Sequence, residues 1–477
     1  MSSKWQPKPG DQVIRHPRKQ QISPVKIDIG SRRKSSPSNI TAPIFVTSTI
    51  LILIIIGSLI LFMPFSNTSN GFTPLLDAIF TSTSATTVTG LTTQNSTIFW
   101  SWIGKITIVI LIYIGGLGIM TLATFFLILM RQRVSLSQRI VVANSLQVNE
   151  MGSLVNLTLK VVGVVTTIQL IGAIILYTRF SSILPISDSI FLSIAHSVSS
   201  FNNAGFVFFT DSNSLEHFQK DHFILSITSI LIFLGSIGYW VFIETFQFRR
   251  FSLISLNSKI VLLGSTFFII AGAIFFFFSE MSNTKTIGDL NIFEKISVSF
   301  FQSISGRTAG FSVIDHSQAN TSTNFFYGFL MIVGGGAASV SGGIKINTVA
   351  IIFISIYCNV KGRFETSIFG RQIPIKQLYQ SLTISFVSTL TLVFLILLIS
   401  LESTQINFLH LLFDTTSAFG TVGATTGIVE KISNYGKSIL IISMFTGRIL
   451  PFSLASITSR ENSASIYQYA EERVTIG

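Results

Sequence analysis

The chain has 477 residues, of which 48% are hydrophobic and only 11% are charged, and it carries a formal net charge of +12. Soluble domains have about 25% charged residues, so this composition excludes an ordinary soluble protein and indicates a membrane protein. The single cysteine, Cys358, excludes an internal disulfide framework and a Cys-x-x-Cys metal or redox site. Because its neighbours are apolar, we predict that Cys358 packs inside a membrane helix.

The first 40 residues are polar and strongly basic. They hold nine Lys or Arg side chains against two Asp side chains, together with several Pro and Ser residues. Such a segment buries too little apolar surface to fold alone, so residues 1–40 are predicted to form a disordered tail. A basic tail can bind nucleic acid. Beside a first membrane span, however, the positive-inside rule explains the charge better and places the tail in the cytoplasm.

Eight apolar segments follow the tail, and each is near the length of about 20 residues that crosses a bilayer. Several contain Gly, Ser and Thr, as is usual where membrane helices pack closely. The predicted spans are 43–63, 102–130, 155–177, 222–245, 259–279, 326–356, 381–401 and 437–458.

A glycine-centred phrase returns four times, each time between two apolar segments. Its copies end on Gly90, Gly205, Gly310 and Gly423, which are 115, 105 and 113 residues apart. A short amphipathic stretch of about 14 residues precedes each copy, too short to span the bilayer, as in re-entrant helices that line a water-filled cavity. These stretches are 72–86, 186–201, 291–305 and 405–419. The pattern predicts an all-α integral membrane protein with eight transmembrane helices, built from four span–pore-loop–span repeats around one central ion pore.

Loop charges orient the predicted repeats. Basic residues cluster after the second, fourth and sixth spans, and acidic residues dominate the segments between those clusters. The positive-inside rule therefore places both termini in the cytoplasm and brings the four glycine loops in from outside. The predicted organisation is a tail at 1–40, repeats at 41–135, 150–252, 256–360 and 372–460, and a cytoplasmic C-terminal tail at 461–477.

The residues before each of the four glycines suit the binding of a bare cation. Glycine adopts backbone angles that other residues avoid, so a loop can turn successive carbonyls toward one axis. No acidic ring accompanies the glycines, which favours carbonyl binding of a monovalent cation over carboxylate binding of a divalent one. The predicted selectivity filter comprises Thr87, Val88, Thr89, Gly90, Asn202, Asn203, Ala204, Gly205, Arg307, Thr308, Ala309, Gly310, Thr421, Val422 and Gly423.

These motifs resemble the Trk/Ktr/HKT superfamily of potassium transporters, and most of all its Ktr-type pore subunits. The resemblance covers residues 41–477. In one plant HKT branch a Ser at the first filter position is associated with sodium selectivity. Gly90 stands there in this chain, so the resemblance implies potassium as the transported ion. The matching phrases are Thr-Val-Thr-Gly-Leu at 87–91, Asn-Asn-Ala-Gly-Phe at 202–206, Gly-Arg-Thr-Ala-Gly-Phe at 306–311, Phe-Gly-Thr-Val-Gly at 419–423 and Thr-Gly-Arg-Ile-Leu-Pro at 446–451.

Five glycines fall within ten residues of the sixth apolar segment. Such a run should break a helix, and backbone broken at membrane depth must face protein or a cavity. A close-packed kink is one explanation. The resemblance implies instead an intramembrane gating loop, which obstructs the pore below the filter until a regulatory partner shifts it. Ala337 and Ala338 stand where relatives usually have Pro or Ser. The candidate gate residues are Gly334, Gly335, Gly336, Ser339, Gly342, Gly343, Lys345 and Arg448.

Two arginines are predicted to be buried. Arg448 lies in the last apolar segment, where an unpaired charge is unfavourable, so it should face the pore or a polar partner unless it snorkels to the cytoplasmic surface. The resemblance implies that Arg448 faces the cavity below the filter, acts as an electrostatic barrier and contacts the gating loop. Arg307 is predicted to brace the third filter loop through a buried ion pair, with Asp315 and Asp414 as the two candidate partners.

The resemblance implies uptake of K+ across the plasma membrane, driven by the membrane potential, with no cofactor in the chain. It also implies a homodimer in which each subunit holds its own pore, and an octameric ring of cytosolic nucleotide-binding regulatory subunits. Activation by Na+ is left open, and Na+ uptake or Na+/K+ symport is the alternative because one filter residue can change the permeant ion. A polytopic membrane enzyme would need clustered His, Asp or Glu, whereas the predicted spans hold little of this kind besides Glu244.

Overall fold

The computed structural model describes residues 42–118 and 154–458, apart from residues 70, 210–213, 249, 338, 364 and 402–405. The predicted basic tail at 1–40, the C-terminal tail and the second half of the span at 102–130 lie outside these residues. The described residues are mostly helical. One small antiparallel hairpin pairs β1 (Ser367–Ile368) with β2 (Arg371–Gln372).

The α-helices of the described residues range from 9 to 27 residues in length. In chain order they are α1 (Ala42–Phe62), α2 (Leu75–Thr87), α3 (Trp102–Gly116), α4 (Leu154–Phe180), α5 (Ile186–Phe201), α6 (His222–Ile237), α7 (Tyr239–Gln247), α8 (Leu256–Glu280), α9 (Ile292–Thr308), α10 (Thr321–Ile332), α11 (Ile346–Val360), α12 (Ile375–Ser400), α13 (Phe408–Gly420) and α14 (Asn434–Thr458).

Four times along the chain a long helix is followed by a short helix, a glycine loop and a further helix. The short helices α2, α5, α9 and α13 have 13, 16, 17 and 13 residues. At a rise of 1.5 Å per residue they measure about 20 to 26 Å, less than the bilayer core of about 30 Å. Their bounds lie within a few residues of the four predicted amphipathic stretches, so the sequence located these elements correctly.

Four helices of the described residues are long and apolar enough to cross a membrane. They contain residues Thr158–Phe180, Leu256–Glu280, Ile375–Ser400 and Asn434–Thr458. The pair α6 and α7 qualifies as a fifth span if it is counted together, and three shorter apolar helices cover Val46–Phe62, Trp102–Gly116 and Ile346–Val360. The structure therefore defines a multi-pass helical membrane protein.

The predicted span at 222–245 is not one continuous helix. It breaks at Gly238, whose φ of 89° and ψ of 144° are accessible only to glycine. The two helices on either side are bent by 103°. The predicted span is therefore sharply bent, a feature that its apolar composition did not reveal. The span predicted at 326–356 is also interrupted, between Ile332 and Ile346, as its glycine cluster suggested.

Large apolar side chains cover the outside of the long helices. Ile174, Phe267 and Phe386 are 66%, 65% and 70% exposed. In water such a surface would be unfavourable, whereas in a bilayer it faces lipid chains. The membrane environment therefore accounts for these exposed residues.

The first three repeats share one packing contact between the long helix and the short helix. In each, a serine on the short helix donates a hydrogen bond to a carbonyl of the long helix, three residues before a glycine that makes room for it. The donor and acceptor pairs are Ser82 Oγ to Ile54 O at 2.8 Å, Ser197 Oγ to Gln169 O at 2.6 Å, and Ser303 Oγ to Ile269 O at 2.7 Å, beside Gly57, Gly172 and Gly272. The same side-chain contact therefore recurs in three of the four successions of long helix, short helix and glycine loop.

Candidate functional site

The four glycine loops meet one another in a closed ring. Their glycines have φ values of 95°, 68°, 70° and 99°, in the left-handed region that other residues rarely adopt. A Cβ added to any of them would lie closer than 3.0 Å to a carbonyl oxygen of the next loop, and the fourth loop meets the first. Only glycine fits at these positions. The overlapping pairs are Gly90 with Ala204, Gly205 with Ala309, Gly310 with Val422, and Gly423 with Thr89.

Three of the loops contain a second left-handed residue two positions before the glycine. Val88, Asn203 and Thr421 have φ values of 59°, 55° and 50°. Such conformations are unfavourable by about 1 to 3 kcal/mol each, and they are rarest for β-branched residues such as Val and Thr. They persist because the end of each short helix holds the loop. The next residue in each loop donates its backbone N–H to a serine carbonyl five residues back: Thr89 to Ser84 at 2.8 Å, Ala204 to Ser199 at 2.8 Å, and Val422 to Ser417 at 2.9 Å.

The third loop differs from the other three. Helix α9 continues through Arg307 and Thr308, so these two predicted filter residues lie in its last turn. The following residue, Ala309, has an ordinary φ of −123°, and only Gly310 is left-handed in this loop. The ring is therefore closed by four glycines but is not fourfold symmetric in its backbone.

Two buried carboxylates on the short helices are already engaged by other groups. Asp414, on α13, is fully buried and accepts hydrogen bonds from Thr425 Oγ1 at 2.6 Å and from Thr426 N at 2.8 Å. Asp77, on α2, forms an ion pair with Lys437 at 2.9 Å. The ring itself is thus made of uncharged backbone, which agrees with the prediction that acidic groups do not form it.

The predicted ion pair of Arg307 is wrong. Its guanidinium is buried, and Nη2 donates to Ser236 Oγ at 3.1 Å, while Nε and Nη1 have no hydrogen-bond partner among the described residues. Asp414 is satisfied by two threonines, and Asp315 accepts from Ser317 N at 2.8 Å. The sequence pattern carries no information about which way a pore-helix side chain points, so it could not show that Arg307 faces Ser236 instead of an acid.

Residues 333–345, called the glycine segment below, lie against the inner ends of α6 and α13. Gly336 N donates to Ser236 O at 2.8 Å, and Gly342 N donates to Thr421 Oγ1 at 3.1 Å. Its two ends are pinned together, since Gly334 N donates to Ile344 O at 2.9 Å. Added Cβ atoms at Gly334, Gly335 and Gly336 would each come closer than 3.0 Å to a neighbouring carbonyl oxygen. The described residues of the segment thus form a non-helical loop inside the protein, as the broken-helix prediction required.

The predicted gate residues come together around this segment. Arg448 is buried in α14, donates through Nη1 to Val340 O, and donates through Nη2 to Gly115 O at 3.0 Å. It therefore does not snorkel, and it contacts the glycine segment as expected. Lys345 donates to Ser341 O from within the segment, and Ser339 Oγ lies 2.9 Å from Ser341 Oγ. Gly343, between Ser341 and Lys345, has a φ of 65°.

Sequence reasoning missed two residues that position these parts. Ser236 bonds Arg307 through its hydroxyl and the glycine segment through its carbonyl. Tyr239, just after the break at Gly238, donates to Gly116 O at 2.9 Å and so ties the second repeat to the first. A lone serine or tyrosine in an apolar run carries no distinguishing pattern, so the sequence offered no means of finding them.

A family model described as TrkH, a cation transport protein, matches residues 30–468. The chain therefore belongs to this family of cation transport proteins. This assignment confirms the resemblance to the Trk/Ktr/HKT superfamily, and it confirms the prediction of a membrane transporter rather than an enzyme.

Individual relatives agree over nearly their whole length. The chain is 34% identical to Ktr system potassium uptake protein B of Bacillus subtilis, covering 92% of this chain and 97% of that one. It is 33% identical to the potassium/sodium uptake protein NtpJ of Enterococcus hirae, covering 94% and 98%. The fold is similar to the crystal structure of the potassium transporter TrkH from Vibrio parahaemolyticus, with a TM-score of 0.66, 18% identity and coverage of 90% and 88%.

Proposed function

We propose that the chain is a potassium uptake pore of the plasma membrane, with the ring of four glycine loops as its selectivity filter. The observation that carries this proposal is the closure of the ring from uncharged backbone, with each glycine against a carbonyl of the next loop. Rings of backbone carbonyls replace the hydration shell of a monovalent cation. The name of the Bacillus relative supports K+ as that cation.

The proposed path runs from the outer side through the ring, past the glycine segment and Arg448, into the cytoplasm. The membrane potential supplies the driving force, about 2.3 kcal/mol per charge for each 100 mV. Arg448 contributes an electrostatic barrier below the ring, and the glycine segment beside it is the gate. The contact between Arg448 and Val340 O supports this arrangement.

The proposed membrane topology has eight spans. They are α1, α3, α4, the bent pair α6 and α7, α8, the interrupted pair α10 and α11, α12, and α14. The short helices α2, α5, α9 and α13 enter from the outer side as re-entrant pore helices, and both termini are cytoplasmic. The basic segment at 1–40 and the positive-inside rule support this orientation.

The proposed assembly is a homodimer that docks on a cytosolic ring of nucleotide-binding regulatory subunits. The support is the similarity to a Ktr system protein and the presence of a segment suited to gating. The regulatory subunits would act by moving the glycine segment away from Arg448. Crosslinking of the purified chain, alone and with candidate cytosolic subunits, tests the assembly.

Sodium is the second candidate ion. The Enterococcus relative is named a potassium/sodium uptake protein, and its similarity to this chain is nearly as high as that of the Bacillus relative. Na+ uptake, Na+/K+ symport and activation of K+ uptake by Na+ are therefore tested beside K+ uptake itself.

The experiment is growth of a potassium-uptake-deficient bacterium that expresses the chain, in low K+ with and without high Na+, and with and without regulatory subunits. Gly310→Ser places a side chain against Val422 O at a φ of 70°. The matched control is Gly370→Ser, because Gly370 has the same φ but nothing within 4 Å of its added Cβ. We expect rescue by the wild type and by Gly370→Ser, and weak rescue by Gly310→Ser. Sodium toxicity without rescue would move the assignment to Na+ uptake, and no effect of either ion would contradict the pore.

A further inference from the structure

One side-chain hydrogen bond joins the glycine segment directly to the ring. Thr421 Oγ1, in the fourth loop, accepts from Gly342 N at 3.1 Å across 79 residues of sequence. Both groups are buried, and a Cβ added to Gly342 would overlap the Thr421 side chain. The ring and the glycine segment are therefore in van der Waals contact at this point, and the hydroxyl is the polar part of that contact.

The corresponding residues of the other loops make no such bond among the described residues. Val88, in the first loop, has no polar group. Asn203, in the second, lies with its amide between Ile232 O and Thr308 Oγ1. With the amide nitrogen assigned to the side that faces acceptors, it donates to Ile232 O at 3.1 Å and accepts from Thr308 Oγ1 at 3.2 Å. Among the described residues, the fourth loop is thus the one that forms a side-chain hydrogen bond to the glycine segment from this position.

The backbone of Thr421 is in a conformation that a β-branched residue rarely adopts. The hydrogen bond from Gly342 N to Thr421 Oγ1 fixes the Thr421 side chain and so helps to stabilise this backbone conformation. If the glycine segment moves, Thr421 loses a bond that stabilises it in the ring. Movement of the segment and the shape of the fourth loop are therefore energetically linked.

The other anchors of the glycine segment come from different helices. Ser236 O, on α6, accepts from Gly336 N at 2.8 Å, and Arg448, on α14, donates to Val340 O. These two bonds hold the segment to the helices around the ring, whereas the Thr421 bond holds it to the ring itself. An opening movement has to release the bond to Thr421 for the segment to leave the ring.

We propose that the Thr421 hydroxyl is a latch, which holds the glycine segment against the fourth loop in the non-conducting state and couples the gate to the filter. This inference rests on the proposed function. Thr421 acts here as a positioning residue through its side chain, separately from any carbonyl that it contributes to the ring.

The test measures uptake of ⁸⁶Rb⁺ into proteoliposomes that contain the purified full-length chain without any partner protein. Thr421→Val removes the hydroxyl and keeps the shape, and Val88 shows that valine is accommodated at the corresponding left-handed position of the first loop. Thr421→Ser keeps the hydroxyl. The matched control is Thr415→Val, on the short helix α13 that precedes the fourth loop, because the Thr415 hydroxyl has no hydrogen-bond partner among the described residues. Arg448→Gln serves as a positive control with its barrier removed.

We expect Thr421→Val to raise partner-free uptake about five-fold, the factor that a typical single hydrogen bond contributes to an equilibrium. Thr421→Ser, which keeps the hydroxyl, should raise partner-free uptake less than Thr421→Val does, and Thr415→Val should stay within about two-fold of the wild type. The amount of folded protein is measured for each variant, and Thr421→Ala replaces the valine variant if the latter does not fold. The KM for Rb⁺ is measured as well, since a latch changes the maximal rate of uptake more than the KM.

The latch would be overturned, and the pore left intact, if Arg448→Gln conducts but Thr421→Val takes up no more Rb⁺ than Thr415→Val. Absence of uptake in every variant, Arg448→Gln included, would overturn the proposed pore and the latch with it.

Discussion

The ion pair between Asp77 and Lys437 joins two helices that are far apart in the sequence, and its removal provides a sharp test of the structure. Asp77 lies in the first turn of α2, in the first repeat, and Lys437 lies in α14, in the last. Their atoms Oδ1 and Nζ are 2.9 Å apart across 360 residues of sequence. The two side chains are only 7% and 14% exposed. The pair therefore links helix α2 to helix α14.

The size of the effect follows from this burial. Removing one partner of a fully buried pair is unfavourable by about 3 to 5 kcal/mol, because the other charge is left uncompensated. The slight exposure and the N-terminal dipole of α2 both favour the remaining Asp77 carboxylate. Its other partner, Gln94 Nε2, is 3.4 Å away and contributes little. We expect Lys437→Met to lower the free energy of unfolding by about 2 to 4 kcal/mol.

The assay is equilibrium unfolding of the purified chain in detergent micelles, with Asp77→Asn, Lys437→Met and the double variant measured together. The double variant should lose less than the sum of the single losses, because neither charge is then left unpaired. The matched control is Arg179→Met. Its ion pair with Asp221 is as short, at 2.7 Å, but the Arg179 side chain is 47% exposed, so its loss should change stability by less than about 1 kcal/mol. The role of the ion pair would be refuted if Lys437→Met lowered the free energy of unfolding no more than Arg179→Met does. It would also be refuted if the losses of the two single variants were strictly additive in the double variant.

Two further predictions concern helix packing and a buried carboxylate. Gly172→Ala puts a Cβ 2.6 Å from Ser197 Oγ and should destabilise the protein by about 1 to 3 kcal/mol. The control is Gly163→Ala in the same helix, which has nothing within 4 Å of the added Cβ and should be neutral or stabilising. Equal effects of the two substitutions in a thermal-unfolding assay would contradict the packing contact. Glu280 is fully buried and accepts hydrogen bonds from Asn320 N and Asn283 Nδ2, both at 2.8 Å, among other donors. Glu280→Gln turns an NH₂ group toward two of these donors. It should therefore lower the free energy of unfolding by about 3 kcal/mol. A change below about 0.5 kcal/mol in the same assay would show that those hydrogen bonds contribute little.

The elements that the sequence predicted well are those with a local and repeated pattern. The four glycines of the ring were located from their spacing, and the structure finds all four in the left-handed region. The short helices before them were located because their length and amphipathic pattern separate them from the long apolar segments. The glycine segment was located because five glycines in ten residues disrupt any helix.

The features that the sequence did not predict depend on single residues and on distant contacts. Gly238 breaks a span that looks continuous by composition. Helix α9 runs through Arg307, which removes that residue from its loop and turns its guanidinium toward Ser236 instead of a carboxylate. Asp77 and Lys437 are brought together only by closure of the whole ring, and no pattern in a single sequence connects two residues so far apart.

The most direct test of the pore is to locate the permeant ion in the folded protein. Crystals of the full-length chain grown in RbCl, measured at the rubidium absorption edge, would show anomalous density wherever Rb⁺ binds. We expect a peak inside the ring formed by Gly90, Gly205, Gly310 and Gly423, and its loss when Na⁺ replaces Rb⁺ or when Gly310 is changed to Ser. An ion bound elsewhere, with the ring empty in a protein that still transports Rb⁺, would contradict the assignment of these loops as the filter.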